Sequence, residues 1–216
     1  MVRGFLSALA VLTSVLASGG ANAQQFQVSA YGGWQTAPHS NVTVTDGTEF
    51  WTAWEGRSFD MPPYYGARGT WWLDGLGMPN AGLSIDFSHA KVYGAPEDRP
   101  GGWTHFEFTD GLNLLTANAM YRFSDDAFRP YVGLGLGITV PHVEVRRTEG
   151  TTHEYQFGGA TFQVTAGAEY MLTENWSVFA EYKGNHSWVD VAIDSGDRLK
   201  TNIITNALNV GVSFHF

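Results

Sequence analysis

Apolar side chains recur at every second position along most of this chain, in segments of about ten residues, and none of these segments carries a sustained helical stripe. A strand reads this way when one face meets an apolar medium and the other a polar one, because successive side chains point to opposite faces. Residues 83–88 set Leu83, Ile85 and Phe87 against Ser84, Asp86 and Ser88. Residues 132–140 set Val132, Leu134, Leu136, Ile138 and Val140 against three glycines and Thr139. Similar stretches run near 26–34, 65–73, 115–123, 162–170, 176–183 and 208–216, about eight in all. The pattern predicts an all-β protein, an eight-stranded antiparallel up-and-down transmembrane β-barrel, with both termini on the side of the short turns. Short connections are expected near 74–80, 124–128 and 173–175, and long ones, rich in polar residues and glycine, near 36–63, 91–111, 142–158 and 184–202.

Compartment decides which solvent the apolar faces meet. The first 23 residues carry Arg3, an apolar run from Phe5 to Leu16 and the small-residue ending Ala21-Asn22-Ala23, which reads as a removed signal peptide ahead of a single domain, 24–216. Loss of Arg3 takes the formal charge from −9 to −10, and that acidity argues against nucleic acid as a partner. No later stretch has the run of about 18 apolar residues that a membrane helix needs. The chain has no cysteine, so disulfides and thiolate chemistry play no part. These features place it in a bacterial outer membrane as an integral barrel, with the long connections outside. A terminal Phe216 resembles the aromatic ending that outer-membrane barrels present to the barrel assembly machinery, which is therefore an expected partner during biogenesis.

A soluble barrel turns its apolar side chains inward. Here the polar positions include Arg68, Asp86, Arg122, Glu169, Glu181 and Lys183, which suit a small polar lumen in which the charges pair with one another. Eight strands leave an interior only wide enough for side chains, so a diffusion pore is not expected. Tryptophans are expected as interfacial anchors, Trp71, Trp72 and Trp176 at the periplasmic side and Trp34 at the outer one.

Alternation carried past the apolar belt puts chemistry at the outer rim. His89 and Lys91 continue the outward parity of Phe87, and His142 and Glu144 that of Val140. The entry of the intervening strand adds Glu107 and Asn113 on the same parity. Imidazoles beside carboxylates can hold a divalent metal or pass protons, and the substrate within reach would be the sugar headgroup of lipopolysaccharide. Equally, a rim histidine or lysine can simply hydrate the interface, and Glu107 and Glu144 can bridge lipid through calcium or magnesium. The loop histidines His153 and His186 read as solvated.

The stretches YGGWQTAPHS (31–40), FDMPPYYGARGTWW (59–72), DFSHAKVYG (86–94), FEFTDGLNLLTANAMYR (106–122), PYVGLGLGITVPHVEV (130–145), WSVFAEYK (176–183) and TNIITNALNVGVSF (201–214) closely resemble the rhizobial and other alphaproteobacterial lipid A oxidases. The resemblance spans nearly the whole mature chain, and its rim motifs APHS, SHAKVY, EFTDGLN and VPHVEV are more specific than barrel periodicity. Two mild departures are Ser88, where threonine is common, and Arg57, where lysine is; both bear on fine specificity. The resemblance implies an outer-membrane enzyme that uses O2 to convert the proximal glucosamine of 1-dephosphorylated lipid A to 2-aminogluconate, releasing hydrogen peroxide, with divalent cations stimulating the reaction.

Dioxygen reacts slowly with closed-shell sugars, so a redox metal is expected, and His with carboxylate suits manganese, iron or copper alike. The metal ligands are then expected to be His89 and His142, with His39 in reserve. Glu107 and Glu144 follow as base or further ligand, with Asp110 in reserve on the inward parity. Lys91, Arg146 and Asn113 would contact the lipid. Two alternatives stand. A lipid A deacylase would need a nucleophile beside a histidine, and Ser88 adjoins His89 but has the opposite parity. An OmpA-like structural or adhesin barrel would need no histidine cluster.

Overall fold

The structure, a computed structural model, describes residues 26–108, 110–194 and 196–216; the anticipated signal segment, 1–23, lies outside them. Thirteen strands follow in order: β1 (Phe26–Val44), β2 (Glu49–Glu55), β3 (Tyr65–Leu73), β4 (Met78–His89), β5 (Val92–Gly94), β6 (Trp103–Phe108), β7 (Leu114–Arg122), β8 (Phe128–Thr139), β9 (His142–Arg147), β10 (Thr151–Tyr155), β11 (Gly159–Met171), β12 (Trp176–Ile193) and β13 (Asp197–His215). Eight of them, β1, β3, β4, β7, β8, β11, β12 and β13, form an antiparallel ring that closes because β1 pairs with both β3 and β13. Closure removes the unpaired edges of an open sheet.

Parity is as the alternation predicts. Leu83, Ile85, Leu134, Leu136, Leu208 and Val210 are exposed on the outside of the ring, whereas Arg68, Asp86, Glu181 and Lys183 are buried within it. The interior is a closed network of paired charges. Arg68 lies 2.8 Å from Glu181 and 3.6 Å from Asp86, and Lys183 lies 2.7 Å from Asp86 and 3.7 Å from Glu181. Tyr31 donates to Asp86 at 2.5 Å and receives a hydrogen bond from Lys183, and Tyr131 donates to Glu181. Nearer the termini, Glu169 accepts from Gln27 and Ser177, and His215 lies 3.3 Å away. Arg122 instead pairs with Asp74 and Asp125 at the short turns.

Glycines make room for this packing. A Cβ at Gly135 would lie 1.9 Å from the Asn118 side chain, and one at Gly66 would lie 2.1 Å from the Tyr31 ring. Trp72 departs from the expected anchoring role: it turns inward, donates to Gln27 and stacks on Arg122, while Trp71 and Trp176 stay exposed outside.

Beyond the ring, at the end opposite the termini, the long connections are not irregular loops. β1, β12 and β13 continue past the barrel, and β2, β5, β6, β9 and β10 extend the sheet in the order β10-β9-β6-β5-β2-β1. One face of this extension carries an apolar core that includes Trp54, Val92, Phe106, Phe108, Val143 and Val145 together with Val189, Val191, Leu199 and Ile203. The Gln156 side chain bonds both backbone groups of Ala192, tying the β10 side to β12 and curling the extension around that core. Burying these apolar residues offsets the entropy of ordering segments that composition alone suggested were mobile.

Candidate metal site on the outer face of the extension

With Phe106, Val143 and Val145 turned into the core, strand alternation sends their neighbours to the opposite, outward face. Register then gathers them. Glu107 pairs with Glu144 and His105 with Arg146 across β6 and β9, while His153 pairs with Glu144 and Tyr155 with His142 across β10 and β9. Tyr93, opposite Glu107, completes the face. Pro141 interrupts β8 and β9, yet His142 keeps the parity of Ile138 because its N–H bonds to the Gly111 carbonyl and that of Val140 to the carbonyls of Leu112 and Asn113. The face therefore continues directly from the outward apolar surface of β4, β7 and β8.

Two sets of ligand-type side chains share this face: His142, Glu144 and His153, and His105, Glu107 and Glu144, with the donor atoms of each set within 4.8 Å of one another. Glu144 Oε1 lies 3.4 Å from His142 Nδ1 and 3.0 Å from His153 Nε2, and its Oε2 lies 3.3 Å from His105 Nε2. His105 Nε2 is also 2.9 Å from Glu107 Oε1. Despite these approaches, His142 Nδ1 and His105 Nε2 are buried without a hydrogen-bond partner among the described residues. Like charges directly opposite on neighbouring strands, as Glu107 and Glu144 are, destabilise a sheet. A cation removes that repulsion. Nitrogen and oxygen donors 2.9–3.4 Å apart, two of the nitrogens without a hydrogen-bond partner among the described residues, fit a divalent first-row ion.

The residues anticipated from sequence divide into three groups. His142, Glu144 and Glu107 lie in the two sets, and Asp110, placed on the inward parity by simple alternation, instead has Oδ2 3.7 Å from His142 Nδ1, because Gly111 at φ +90° turns the chain beside it. Arg146 is exposed next to His105 on the same face. His89 and Asn113 lie beside this face without joining either set. His89 is buried, stacks on Tyr65 with centroids 5.1 Å apart, has Nδ1 3.0 Å from Asn113 Oδ1, and belongs to neither ligand set. Asn113 sits at φ +46° and donates to the carbonyls of Asp110, Gly111 and Val140, so its polar atoms build the turn instead of meeting a lipid.

Two anticipations do not hold. Lys91 is fully buried, its ammonium donating to the Asp60 carbonyl 5.3 Å from the centre of the Tyr93 ring, and burial lowers its pKa; it is not presented to lipid. His39 is exposed where the β1 register with β2 and β13 shifts, and it joins neither set. Sequence reading also passed over His105 and His153, the latter taken as a solvated loop residue. The signal was present: His105-Phe-Glu107 and His142-Val-Glu144 repeat an i, i+2 pair, and on a strand that spacing puts both members on one face. Burial raises Tyr155 and pushes the Tyr93 hydroxyl up to about 12, with the negative charge of Asp110 adding to the first and that of Glu107 to the second.

A closed ring with an apolar exterior, a charged and filled interior and a polar extension at one end defines a transmembrane β-barrel of the outer-membrane type. Residues 7–216 match the family model described as the outer membrane protein beta-barrel domain, and the chain belongs to that family. Among solved structures it is similar to Neisserial surface protein A, at 19% identity and a TM-score of 0.51, covering 89% of this chain and 97% of that one. The outer membrane protein AlkL in DMPC bilayers gives 14% identity and a TM-score of 0.48, covering 93% and 95%. The N-terminal barrel of Pseudomonas aeruginosa OprF gives 16% and 0.43, covering 88% and 97%. At these identities the likeness is one of fold. No curated protein matches the chain.

Proposed function

We propose that this barrel is a metal-dependent oxidase of lipid A, acting from the outside of the barrel at the outer leaflet. One observation carries the reading: six metal- and proton-competent side chains, His105, Glu107, Asp110, His142, Glu144 and His153, share one outward face that begins where the apolar belt of β4 and β8 ends. Sequence resemblance to the lipid A oxidases, strongest in the SHAKVY, EFTDGLN and VPHVEV stretches that build this face, supplies the substrate class.

The reaction balances as follows. The anomeric carbon of the reducing-end glucosamine loses its C–H and O–H hydrogens and becomes a lactone carbonyl, and the two electrons and two protons reduce O2 to hydrogen peroxide. Water then opens the lactone to 2-aminogluconate. A phosphate on the anomeric oxygen blocks the first step, because no O–H remains to ionise. His142, Glu144 and His153, or His105, Glu107 and Glu144, would hold a redox-active ion, which would supply the one-electron chemistry that dioxygen requires. The remaining work belongs to the chain. Glu107 or Asp110 takes the anomeric hydroxyl proton, and Arg146 faces acidic groups on the lipid. The exposed Tyr65 ring, backed by the buried His89, offers a flat surface at the belt's edge against which a sugar ring can rest.

A hydrolase built on Ser88 is disfavoured, since Ser88 points into the lumen, where its hydroxyl lies 2.8 Å from that of Tyr31. Mass spectrometry of lipid A from cells with and without the protein tests the proposal. One added oxygen supports it. Loss of an acyl chain would replace it with a deacylase, and an unchanged lipid would replace it with a structural or adhesin barrel.

A further inference from the structure

The two ligand sets are not separate alternatives, because both contain Glu144 and each uses a different oxygen of its carboxylate. Oε1 faces His142 and His153, and Oε2 faces His105, which itself contacts Glu107. We propose that this face binds two divalent ions bridged by Glu144, one held by His142 and His153 with Asp110 beside it, the other by His105 and Glu107.

Two features support a pair over a single ion. Bonds of about 2.1 Å put neighbouring donors about 3.0–3.4 Å apart in octahedral or tetrahedral geometry. The donor separations here, 2.9 and 3.3 Å in one set and 3.0 and 3.4 Å in the other, match that spacing in both halves at once. Each half also ends in an imidazole nitrogen that is buried and without a hydrogen bond, His142 Nδ1 in one and His105 Nε2 in the other, and the His142 residue as a whole is only 4% exposed. Paired metal sites in enzymes hold their ions about 3.5–4 Å apart, a span that one carboxylate bridges with its two oxygens.

This inference rests on the reading of the face as a metal centre, but not on the identity of the lipid substrate. It is tested on the purified, folded barrel in detergent, stripped with chelator and titrated with Mn(II), with bound metal counted by elemental analysis and the spin state followed by electron paramagnetic resonance. Two equivalents are expected. The isolated-ion spectrum of the first should broaden into an exchange-coupled one as the second binds. His153→Ala and His105→Ala should each retain one equivalent with an isolated-ion spectrum, and Glu144→Ala should abolish the coupling, all with the heat-modifiable gel mobility of a folded barrel. A single equivalent in the parent protein, or coupling that survives Glu144→Ala, overturns the bridge. Metal binding with the expected stoichiometry but no oxidation of lipid A would overturn the proposed function and leave the paired site standing.

Discussion

Replacing Lys183 by methionine tests how the barrel holds its interior. Arg68, Lys183, Asp86 and Glu181 are buried as two cations and two carboxylates. Lys183→Met keeps much of the side-chain volume but leaves one buried carboxylate in excess. At the observed 2.7 Å and an effective dielectric of about 20, the Lys183–Asp86 attraction alone is roughly 6 kcal/mol. Desolvation of the ammonium offsets part of that, and removing one member of such a pair costs about 3–5 kcal/mol overall. The double variant Lys183→Met, Asp86→Asn restores neutrality, with Arg68 and Glu181 still 2.8 Å apart, and should recover about 2 kcal/mol of the loss. Urea unfolding of the refolded barrel in lipid, followed by tryptophan fluorescence and by heat-modifiable mobility, measures both. A single variant within about 1 kcal/mol of the parent, or a double variant as costly as the sum of its parts, would refute the view that charge balance organises the lumen.

Leu136→Arg puts a charge on the outward face of β8, where the parent residue is 67% exposed, and should cost about 2–4 kcal/mol in a bilayer unfolding titration. Ser88→Ala removes a lumen hydrogen bond, lowering stability by about 1 kcal/mol in the same titration, and should leave lipid A modification intact in mass spectra. Tyr93, whose pKa is raised to about 12, gives a stability contribution that is complete below about pH 10 and lost as pH rises through the folded value; the late phase of tyrosinate absorbance should lose one group in Tyr93→Phe.

Much of the barrel was legible because a period of two is a direct record of which medium each face meets, and eight such records in succession leave few topologies. Lumen pairing was legible for the same reason, since charges confined to one parity must meet. What alternation hid was the extension. β2, β5 and β6 are three to seven residues long, too short for a pattern to stand out from the glycine and proline around them, and their core forms only through pairing across distant segments. That is why His153 read as solvated when register sets it opposite Glu144. Parity located His142, Glu107 and Glu144 correctly, but it could not foresee that Asn113 would spend its polar atoms on the backbone, that the 56–64 connection would cover Lys91, or that Gly111 would swing Asp110 toward His142.

The proposed oxidation of a lipid headgroup at the outward histidine and carboxylate face can be reconstituted from purified parts. Purified barrel, loaded with Mn(II), iron or copper and incubated with 1-dephosphorylated lipid A under air and under argon, tests it most directly. Lipid A should gain one oxygen atom only under air, with an equal amount of hydrogen peroxide released, and His142→Ala should abolish both. Lipid A of unchanged mass with every metal, or oxidation undiminished in His142→Ala, would contradict it.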